Sequence, residues 1–448
     1  MTAEEAARVV DVRHRYAFAL LGIVQATLIF TLAVIAVPLP LIGREFGLRR
    51  PDLILLSASY GLTFAGLLLF GGRLSDRYGG RRTLAVGLLL LAAASAAAPL
   101  APGIGVLLAA RLVQGAGAAL VAPAAMAVLR VVYPSPLAYG RVMATWGGLS
   151  VLGATVGNLL SGVILAWLSW RWTFLIPLAV SVTALTLMPR LLPHTAPHRG
   201  RTLDLPGALL ATAGITLASY GLVVTDVRPR SSAGVLVPLL SGAALLVAFL
   251  YAERRTADPL LPTRFLLDRR RALALTAIAL SACGTAMTFV VLSLHLQQTR
   301  DWSPLRTSAA FVPFAVALIA SSRAAGPLVI RYGAGAVTTA GLGTGAAGLA
   351  LLASSGLHVH TPYAYGLLPG LVLLSAGAAA SFGGAAVLAT EGVPAQQAGL
   401  AGGVLNSAME LGPTVVFALL LTLGSDAVSL AATGSALAVV AVLTHRAN

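Results

Sequence analysis

The sequence contains no lysine, only one cysteine and few charged residues of either sign. Its 30 lysine-or-arginine positions are therefore all arginine, and 10% of the 448 residues are charged. The single cysteine, Cys283, excludes an internal disulfide and a cysteine-based metal site. So little charge, together with 58% hydrophobic residues, excludes an ordinary soluble globular protein.

The sequence also lacks a Gly-Lys-Ser/Thr nucleotide signature and any constellation of catalytic residues, so neither an ATP-driven motor nor an enzyme is expected. No cofactor is expected, and the 7 histidines have no spacing typical of a metal site. What the sequence does have is a series of apolar runs of about 18 to 25 residues, the length of a membrane-spanning helix. These features predict an all-α polytopic membrane protein.

The apolar runs predict about fourteen transmembrane helices. Their positions are 17–43, 52–71, 83–102, 105–129, 142–168, 171–192, 205–224, 232–251, 272–298, 305–328, 334–355, 363–389, 397–421 and 425–444. Alternate loops carry most of the arginine, and the positive-inside rule then places both termini in the cytoplasm. The net charge of +15 is therefore interpreted as a topology signal, and no nucleic-acid partner is expected.

A charged turn between two apolar runs occurs twice, at 71–82 and, in weaker form, at 326–335. A motif that recurs once between membrane spans predicts two related halves, as in many secondary transporters. The residues that match are Gly72 with Gly326, Leu74 with Leu328, Arg77 with Arg331, Tyr78 with Tyr332 and Gly79 with Gly333.

The copies join spans 2 and 3 and spans 10 and 11, an offset of eight spans where two six-helix halves alone would give six. Two additional helices must therefore lie between the halves, in the order 6 + 2 + 6. The predicted domains are an N-terminal half at 1–192, a linker with two inserted transmembrane helices at 193–271, and a C-terminal half at 272–448.

At these motifs the chain resembles the major facilitator superfamily, in particular its fourteen-helix drug:proton antiporters. The turn at 71–82 resembles the signature of the loop between helices 2 and 3, with matches at Gly72, Asp76, Arg77, Gly79 and Arg81. Segment 110–117 with Pro123 is similar to the helix 4 motif, 170–174 to the start of helix 6, and 203–207 to the start of the first inserted helix.

The resemblance implies the major facilitator fold and a multi-pass protein of a bacterial inner (plasma) membrane. It implies a secondary-active exporter that moves lipophilic drugs, antibiotics or secondary metabolites by alternating access, in exchange for protons. The expected partners are a small lipophilic substrate, protons and membrane lipids, and a monomer is expected.

Two departures from the family pattern bear on proton coupling. In the antiporter motif of helix 5, Asn158 stands in place of a proline and Ser161 in place of a glycine. In helix 1 the acid of related antiporters is missing, and the run contains Thr31 and Ala33 instead. An uncoupled facilitator, a solute importer or a lipid flippase on the same fold therefore remains an alternative.

The turn at 71–82 is interpreted as a conformational latch. Asp76 lies at a helix end among arginines, where a carboxylate accepts charge-assisted hydrogen bonds and opposes a helix dipole. The alternative is a solvated turn. The second copy has Ile330 in place of Asp76, so the latch is predicted to be asymmetric. The predicted latch residues are Gly72, Asp76, Arg77, Gly79, Arg81 and Arg331.

Two charged residues within apolar runs are the candidates for proton coupling. Arg111 lies near the start of span 4, and a charge at membrane depth either lines a cavity or reaches the interface. Glu410 lies in the middle of span 13, where desolvation raises a carboxyl pKa. Asn406 is four residues from Glu410 and shares its helix face. A structural hydrogen bond is the alternative for Glu410.

The predicted substrate cavity combines polar and aromatic residues of both halves: Gln25, Thr31, Tyr60, Gln114, Trp146, Asn158, Phe289, Asn406 and Glu410. Because Glu410 is its one acid, neutral, weakly acidic or singly charged substrates are expected. Small residues on helix 5 allow close helix approach in lipid. They are interpreted either as a gate against the other half or as general packing, at Gly153, Gly157 and Gly162.

Overall fold

The computed structural model describes residues 3–35, 38–194, 204–224, 229, 231–256, 268–358, 361–393, 401–402, 404–409 and 426–447. The first part of the chain forms seven α-helices: α1 (Ala3–Ala33), α2 (Leu39–Phe46), α3 (Arg50–Tyr78), α4 (Gly80–Ala97), α5 (Ile104–Val132), α6 (Pro136–Trp167) and α7 (Leu175–Leu191). Short 3-10 turns at Ala98–Leu100 and Trp170–Phe174 follow α4 and precede α7.

Nine further helices have defined bounds among the described residues of the inserted hairpin and the second half. They are α8 (Leu205–Val224), α9 (Ala233–Glu253), α10 (Arg269–Leu294), α11 (Pro304–Ala310), α12 (Val312–Tyr332), α13 (Ala334–Leu351), α14 (Tyr363–Gly366), α15 (Leu368–Thr390) and α16 (Asp426–Ala447). Single π-helical turns follow α10 at His295–Thr299 and α13 at Leu352–Gly356.

Eleven segments of the described helices are long and apolar enough to cross a membrane. The predicted spans at 142–168 and 205–224 correspond to α6 and α8, which have 32 and 20 residues. The predicted span at 397–421 lies mostly outside the described residues. An all-helical membrane architecture is therefore confirmed, and the count of fourteen helices stays a prediction.

The first predicted span, 17–43, is interrupted in the structure. Helix α1 ends at Ala33, and the short helix α2 begins at Leu39 after Pro38. Prolines 38 and 40 have no backbone N–H with which to continue the hydrogen-bond ladder of α1. The backbone N–H groups of Leu41 and Ile42 instead bond the carbonyl of Pro38, at 2.9 and 3.0 Å. The break leaves the last carbonyls of α1 available to other donors.

The two copies of the charged turn have the same backbone structure. Gly79 is the one residue between α3 and α4, and Gly333 is the one residue between α12 and α13. Their φ angles are 90° and 85°, a region that L side chains rarely adopt. In each turn the glycine N–H bonds the carbonyl four residues earlier, at 3.0 Å to Ser75 and 2.9 Å to Val329. The sequence repeat is therefore a structural repeat.

The helix packing within the halves also repeats. In the first half α5 packs against α3 and α4, and in the second half α15 packs against α12 and α13. A Cβ atom built on Gly87 of α4 would lie 2.7 Å from the carbonyl of Gly117 in α5. A Cβ atom on Gly341 of α13 would lie 2.8 Å from the carbonyl of Gly377 in α15. Small residues thus bring both pairs of backbones together.

The inserted hairpin of α8 and α9 packs on the first half. The hydroxyl of Thr212 in α8 donates to the carbonyl of Gly66 in α3, at 2.8 Å. One turn further along α8, the hydroxyl of Thr216 donates to the carbonyl of Leu62, at 3.5 Å. These bonds cover a face of α3. In the part of the chain that the structure describes, the corresponding face of α12 is open, since Val316, the counterpart of Leu62, is 61% exposed.

One face of the bundle is rich in arginine, and we call it the basic face. It contains the end of α3 and the start of α4, the ends of α5, α7 and α15, and the starts of α1 and α10. Hydrogen bonds connect these ends: Tyr133 Oη to the His14 carbonyl at 3.0 Å, Arg81 Nη1 to His194 Nδ1 at 2.9 Å, and Arg271 Nε to the Ala389 carbonyl at 3.1 Å. The face at the other helix ends is called the opposite face.

The halves meet through α6, which packs against both α12 and α15. A second contact lies near the basic face, where Asn406 Nδ2 donates to Met126 Sδ in α5 at 3.2 Å. Both side chains are 1% exposed. A Cβ atom on Gly402 would lie 3.2 Å from Met126 Cβ, so the two segments are in close contact there. The described structure is therefore closed between the halves near the basic face.

Candidate functional site

The candidate site is built around Arg111, which lies in the second turn of α5 and is 0% exposed. Its Nη1 atom donates to the backbone carbonyl of Thr31 at 2.7 Å. Thr31 lies in the last turn of α1, and the break before Pro38 leaves such carbonyls without a helical donor. The end of α1 at Ala33 thus makes the Thr31 carbonyl available as the acceptor that holds the arginine.

Side chains from three helices complete the Arg111 cluster. The guanidinium lies 4.9 Å from the ring centroid of Tyr60, in α3, and the Tyr60 hydroxyl donates to the Leu28 carbonyl at 2.9 Å. Gln114 Oε1 is 3.4 Å from Arg111 Nη1, and Gln114 Nε2 donates to Ser95 Oγ in α4 at 2.8 Å. A cation–π contact and a fixed amide thus orient the buried charge.

The positive charge of Arg111 is incompletely compensated. Its Nε and Nη2 atoms are buried and have no hydrogen-bond partner among the described residues. No carboxylate in the described part of the chain contacts it. An unpaired charge at membrane depth is costly and usually serves a function. The cluster can therefore accept an anion, a carbonyl oxygen or another electron-rich group.

The other predicted cavity residues lie at different depths. Gln25 and Trp146 are 0% exposed, and Trp146 Nε1 is buried without a hydrogen-bond partner in the described structure. Phe289 lies near the opposite face, stacked on Phe311 with ring centroids 4.4 Å apart. Asn406 lies near the basic face, in the contact with Met126. The structure thus groups Thr31, Tyr60, Arg111 and Gln114, and places Phe289 and Asn406 away from them.

Two predicted residues cannot be placed. The side chain of Asn158 lies outside the described structure, although its backbone belongs to α6. Glu410, the predicted proton carrier, also lies outside the described residues. Its predicted neighbour Asn406 is described, and its amide also donates to the carbonyl of Gly402 at 2.9 Å.

The predicted latch lies on the basic face and varies in exposure. Gly72, Asp76 and Gly79 are buried, Arg77 and Arg81 are half-buried, and Arg331 is exposed. Asp76 is 5% exposed and Arg73 is 1% exposed. A carboxylate removed from water to this degree needs polar partners, so its environment is unlike that of a solvated turn. Arg77 lies over the ring of Tyr78, and Arg331 lies over the ring of Tyr332, at 5.6 and 5.2 Å from the centroids.

The glycines of α6 lie against α1 of the same half. A Cβ atom on Gly153 would lie 2.9 Å from Ala26 Cα, and one on Gly157 would lie 3.3 Å from Phe30 Cα. The hydroxyl of Ser161, the residue that departs from the glycine of the family motif, donates to the Val34 carbonyl at 3.0 Å. These contacts hold α1 and α6 together, and the predicted gate that includes Gly162 stays a prediction.

Two residues with important contacts were not predicted from the sequence. Ser95 and Met126 were not candidates, yet Ser95 anchors Gln114 and Met126 joins the halves. Ser95 is a lone polar residue in the apolar run of α4, a signal that could have identified it. Met126 is an apolar residue in an apolar helix, so nothing in the sequence distinguishes it.

A second polar cluster stabilises the opposite face of the first half. Arg171 Nη2 and Nη1 bond the two carboxylate oxygens of Glu45, at 2.6 and 3.2 Å, and Trp170 Nε1 donates to the same carboxylate at 2.7 Å. The hydrogen bond from Arg171 is the main reason that the pKa of Glu45 is below its usual value. The cluster joins α2 to the start of α7.

Comparison with known proteins agrees with this architecture. The Major Facilitator Superfamily profile matches residues 19–417. The puromycin resistance protein of Streptomyces alboniger is 34% identical over 93% of this chain and 83% of its own. The lincomycin resistance protein of Streptomyces lincolnensis is 34% identical over 98% and 93%, and the cephamycin export protein of Amycolatopsis lactamdurans is 34% identical over 90% and 83%.

Solved structures show the same fold at low sequence identity. A human organic anion transporter superposes with a TM-score of 0.66 at 18% identity, covering 99% of this chain and 100% of its own. A proton:xylose symporter superposes with a TM-score of 0.70 at 14% identity, covering 97% and 96%. Profile, relatives and fold agree across nearly the whole chain, and the protein belongs to the major facilitator superfamily.

Proposed function

We propose that this protein is a secondary-active exporter that moves a lipophilic small molecule by alternating access. The observation that carries the proposal is the contact of two repeated halves, which meet near the basic face through Met126 and Asn406. In alternating access such a contact must open on one face while the halves close on the other. The moving units are the halves 1–192 and 272–448, and the linker 193–271 adds its hairpin to the first half.

The relatives support an antibiotic or secondary metabolite as the substrate class. Three proteins that match at least 90% of this chain are named for puromycin resistance, lincomycin resistance and cephamycin export. Resistance and export share one physical requirement, the removal of a small organic molecule from the cell. This similarity favours export over the facilitator, importer and flippase alternatives.

The Arg111 cluster supports a substrate that is neutral, weakly acidic or singly charged. Two guanidinium nitrogens of Arg111 lack acceptors, and the described residues around it include no carboxylate. A buried positive charge repels dications and attracts carbonyl or carboxylate oxygens. Transport in which dicationic dyes are the best substrates would contradict this part of the proposal.

Glu410 is proposed as the proton carrier, with Arg111 as the positive charge that responds to its protonation. The support is the sequence position of Glu410, one turn after Asn406, which lies in the contact between the halves. A carboxyl group near that contact gains or loses solvent as the halves move, and its pKa changes accordingly.

The orientation follows from the arginine distribution. We propose that the basic face is cytoplasmic and that the protein spans a bacterial plasma membrane with both termini inside. The described structure, closed near the basic face, then corresponds to a state closed to the cytoplasm. The protein acts as a monomer in this proposal, with lipids around it.

Transport into proteoliposomes with and without an imposed pH gradient tests the proposal. A gradient should accelerate uptake of a lipophilic antibiotic such as puromycin, and Glu410→Gln should abolish that acceleration while leaving downhill transport. Equal rates of transport with and without the pH gradient in the unchanged protein would favour an uncoupled facilitator.

A further inference from the structure

A cavity of about 620 Å³ opens on the opposite face of the second half, away from the Arg111 cluster. It lies between the segment that follows α10 and the start of α14. A volume of this size is typical of sites for drug-sized molecules. The lining residues are Thr299, Arg300, Asp301, Trp302, Arg306, Thr361, Pro362 and Tyr363.

One wall of the cavity is braced by Arg300. Its Nη2 atom donates to the His358 carbonyl at 2.7 Å, and its Nη1 atom donates to the Thr361 carbonyl at 3.1 Å. Its Nε atom donates to His295 Nε2 at 3.1 Å. Because the Arg300 Nε–H is the donor, the His295 imidazole accepts this bond through an unprotonated Nε2. The bonds to His358 and Thr361 connect the segment after α10 to the segment before α14 and so hold this wall of the cavity in place.

The second wall is an aromatic platform with a cation at its edge. The Arg306 guanidinium lies 4.0 Å from the ring centroid of Trp302, and Arg306 is exposed. The rings of Trp302 and Tyr363 are 6.0 Å apart and tilted by 43°. The Tyr363 hydroxyl donates to the Ala310 carbonyl at 2.6 Å, which fixes that ring.

The two arginines of the cavity have different roles. The guanidinium of Arg300 donates from all three nitrogens to groups of the protein. The guanidinium of Arg306 is stacked on Trp302 and donates no hydrogen bond to the described residues. Stacking orients a guanidinium while leaving its N–H edge available. Arg306 can therefore bind a carboxylate that enters the cavity.

The charge of the lining favours an anion. Two arginines outnumber the one acid, Asp301, whose side chain is exposed. Asp301 has a φ of 51°, in the left-handed region, which Asn tolerates about as well as Asp does. This allows the acid to be removed without disturbing the backbone.

We infer that this cavity is a binding site for an organic anion with an aromatic body, with the ring against Trp302 and Tyr363 and the carboxylate on Arg306. Aromatic rings stack on indole and phenol rings, and a carboxylate forms a bidentate pair with guanidinium. The site is separate from the buried Arg111 cluster, and all of its lining residues belong to the second half.

Binding of 2-naphthoate, measured calorimetrically with the protein in nanodiscs of zwitterionic lipid, tests the inference. The comparison probe is 2-naphthylmethylamine, which has the same ring and the opposite charge. The unchanged protein should bind the anion more tightly than the amine. Arg306→Gln should weaken anion binding roughly fivefold to tenfold, because one charge-assisted hydrogen-bond pair is lost. Asp301→Asn should tighten it about twofold to threefold, because a screened repulsion is removed.

Arg44→Gln is the matched control. Arg44 is an exposed arginine of α2 on the same face of the protein, and its replacement removes one positive charge away from the cavity. Anion binding should be unchanged in this variant. Equal weakening in Arg44→Gln and Arg306→Gln would mean that binding follows the general charge of the face, and the inference would be wrong. Equal affinity of the two probes for the unchanged protein would overturn it as well.

Because binding is measured without transport, the result is independent of the exporter proposal. Thermal unfolding of each variant verifies that it is folded, and both arginines are exposed, so little change in stability is expected. The variant Trp302→Leu provides a second test. It should weaken the binding of both naphthyl probes, since it removes the ring surface that both of them contact.

Discussion

The turn between α3 and α4 and the turn between α12 and α13 have nearly the same backbone and very different surroundings. Gly79 and Gly333 have φ angles within a few degrees of each other. In the first turn Arg73 and Asp76 are buried, whereas Ile330 in the second is 45% exposed and Pro327 is exposed. The repeat thus preserves the backbone and changes what the side chains do.

The inserted hairpin extends this difference between the halves. In the first half Leu62 and Gly66 of α3 accept hydrogen bonds from α8. The offset that relates Gly72 to Gly326 relates these residues to Val316 and Ala320 of α12, and Val316 is 61% exposed. Among the described residues, α3 is therefore covered by α8 and ends in a buried acid, whereas the corresponding positions of α12 are exposed and carry an isoleucine. Equivalent helices in the two halves can differ in mobility and role.

The largest expected effect is on transport and tests the asymmetry of the turns. Asp76→Asn should reduce transport at least tenfold, because a buried position that now holds a carboxylate loses its negative charge. Ile330→Asn, the same residue at the corresponding position of the other turn, should change transport little. Equal loss in both variants, measured in proteoliposomes, would show that the turns are functionally equivalent.

The next largest effect is on stability and tests the close glycine packing that both halves contain. Gly87→Ala and Gly341→Ala should each destabilise the protein by about 1–3 kcal/mol, because each added Cβ would lie less than 3.0 Å from a backbone atom of the facing helix. Thermal unfolding in detergent gives the comparison. Gly343→Ala is the control, since nothing lies within 4 Å of its added Cβ. If only one of the two variants is destabilised, the glycine contacts of the two halves are not equivalent.

A smaller effect tests the cover on α3. Thr212→Val removes the hydroxyl that donates to the Gly66 carbonyl and should cost about 0.5–1 kcal/mol, the range for hydrogen bonds between helices in membranes. Thr344→Val is matched to it, because the Thr344 hydroxyl bonds only within its own helix, to Ala340. If both variants unfold at the same temperature, the α8 contact contributes no measurable stability.

The smallest expected effect is on the pH dependence of stability, through the ion pair on the opposite face. The pKa of Glu45 is lowered in the folded protein from 4.5, mainly by the hydrogen bond from Arg171. The ion pair therefore stabilises the fold above about pH 4.5, and this contribution is lost as pH falls through the lowered pKa. The pair is partly exposed, so the change is small. The unfolding temperature should change less between pH 6 and pH 3 in Glu45→Gln than in the unchanged protein.

Much of the architecture was predictable because it depends on local sequence. The apolar runs, the paired turns and the motifs at 71–82 and 110–117 indicated an all-helical superfamily member before any contact was known. Arg111 was predictable as a buried charge, since an arginine within an apolar run is conspicuous. The grouping of Thr31, Tyr60 and Gln114 around it follows from helix packing, which a single sequence does not specify.

Other features could not be predicted for physical reasons. The first span was predicted to run unbroken over 17–43, although prolines 38 and 40 lie within it and α1 ends at Ala33. That the freed carbonyl of Thr31 would meet Arg111 depends on the distance between α1 and α5, and 80 residues separate the two partners along the chain. The contact of Met126 with Asn406 depends in the same way on how the halves approach.

The sequence by itself determined that the protein crosses the membrane many times, that it consists of two related halves, and that one copy of the charged turn has an acid where the other has isoleucine. These properties follow from hydrophobicity and residue identity, which are local. The tertiary structure alone decided that the acid is buried, that α8 covers one half, and that the glycines of α6 contact α1. Such properties depend on long-range packing, because burial is set by neighbours that are distant in the chain.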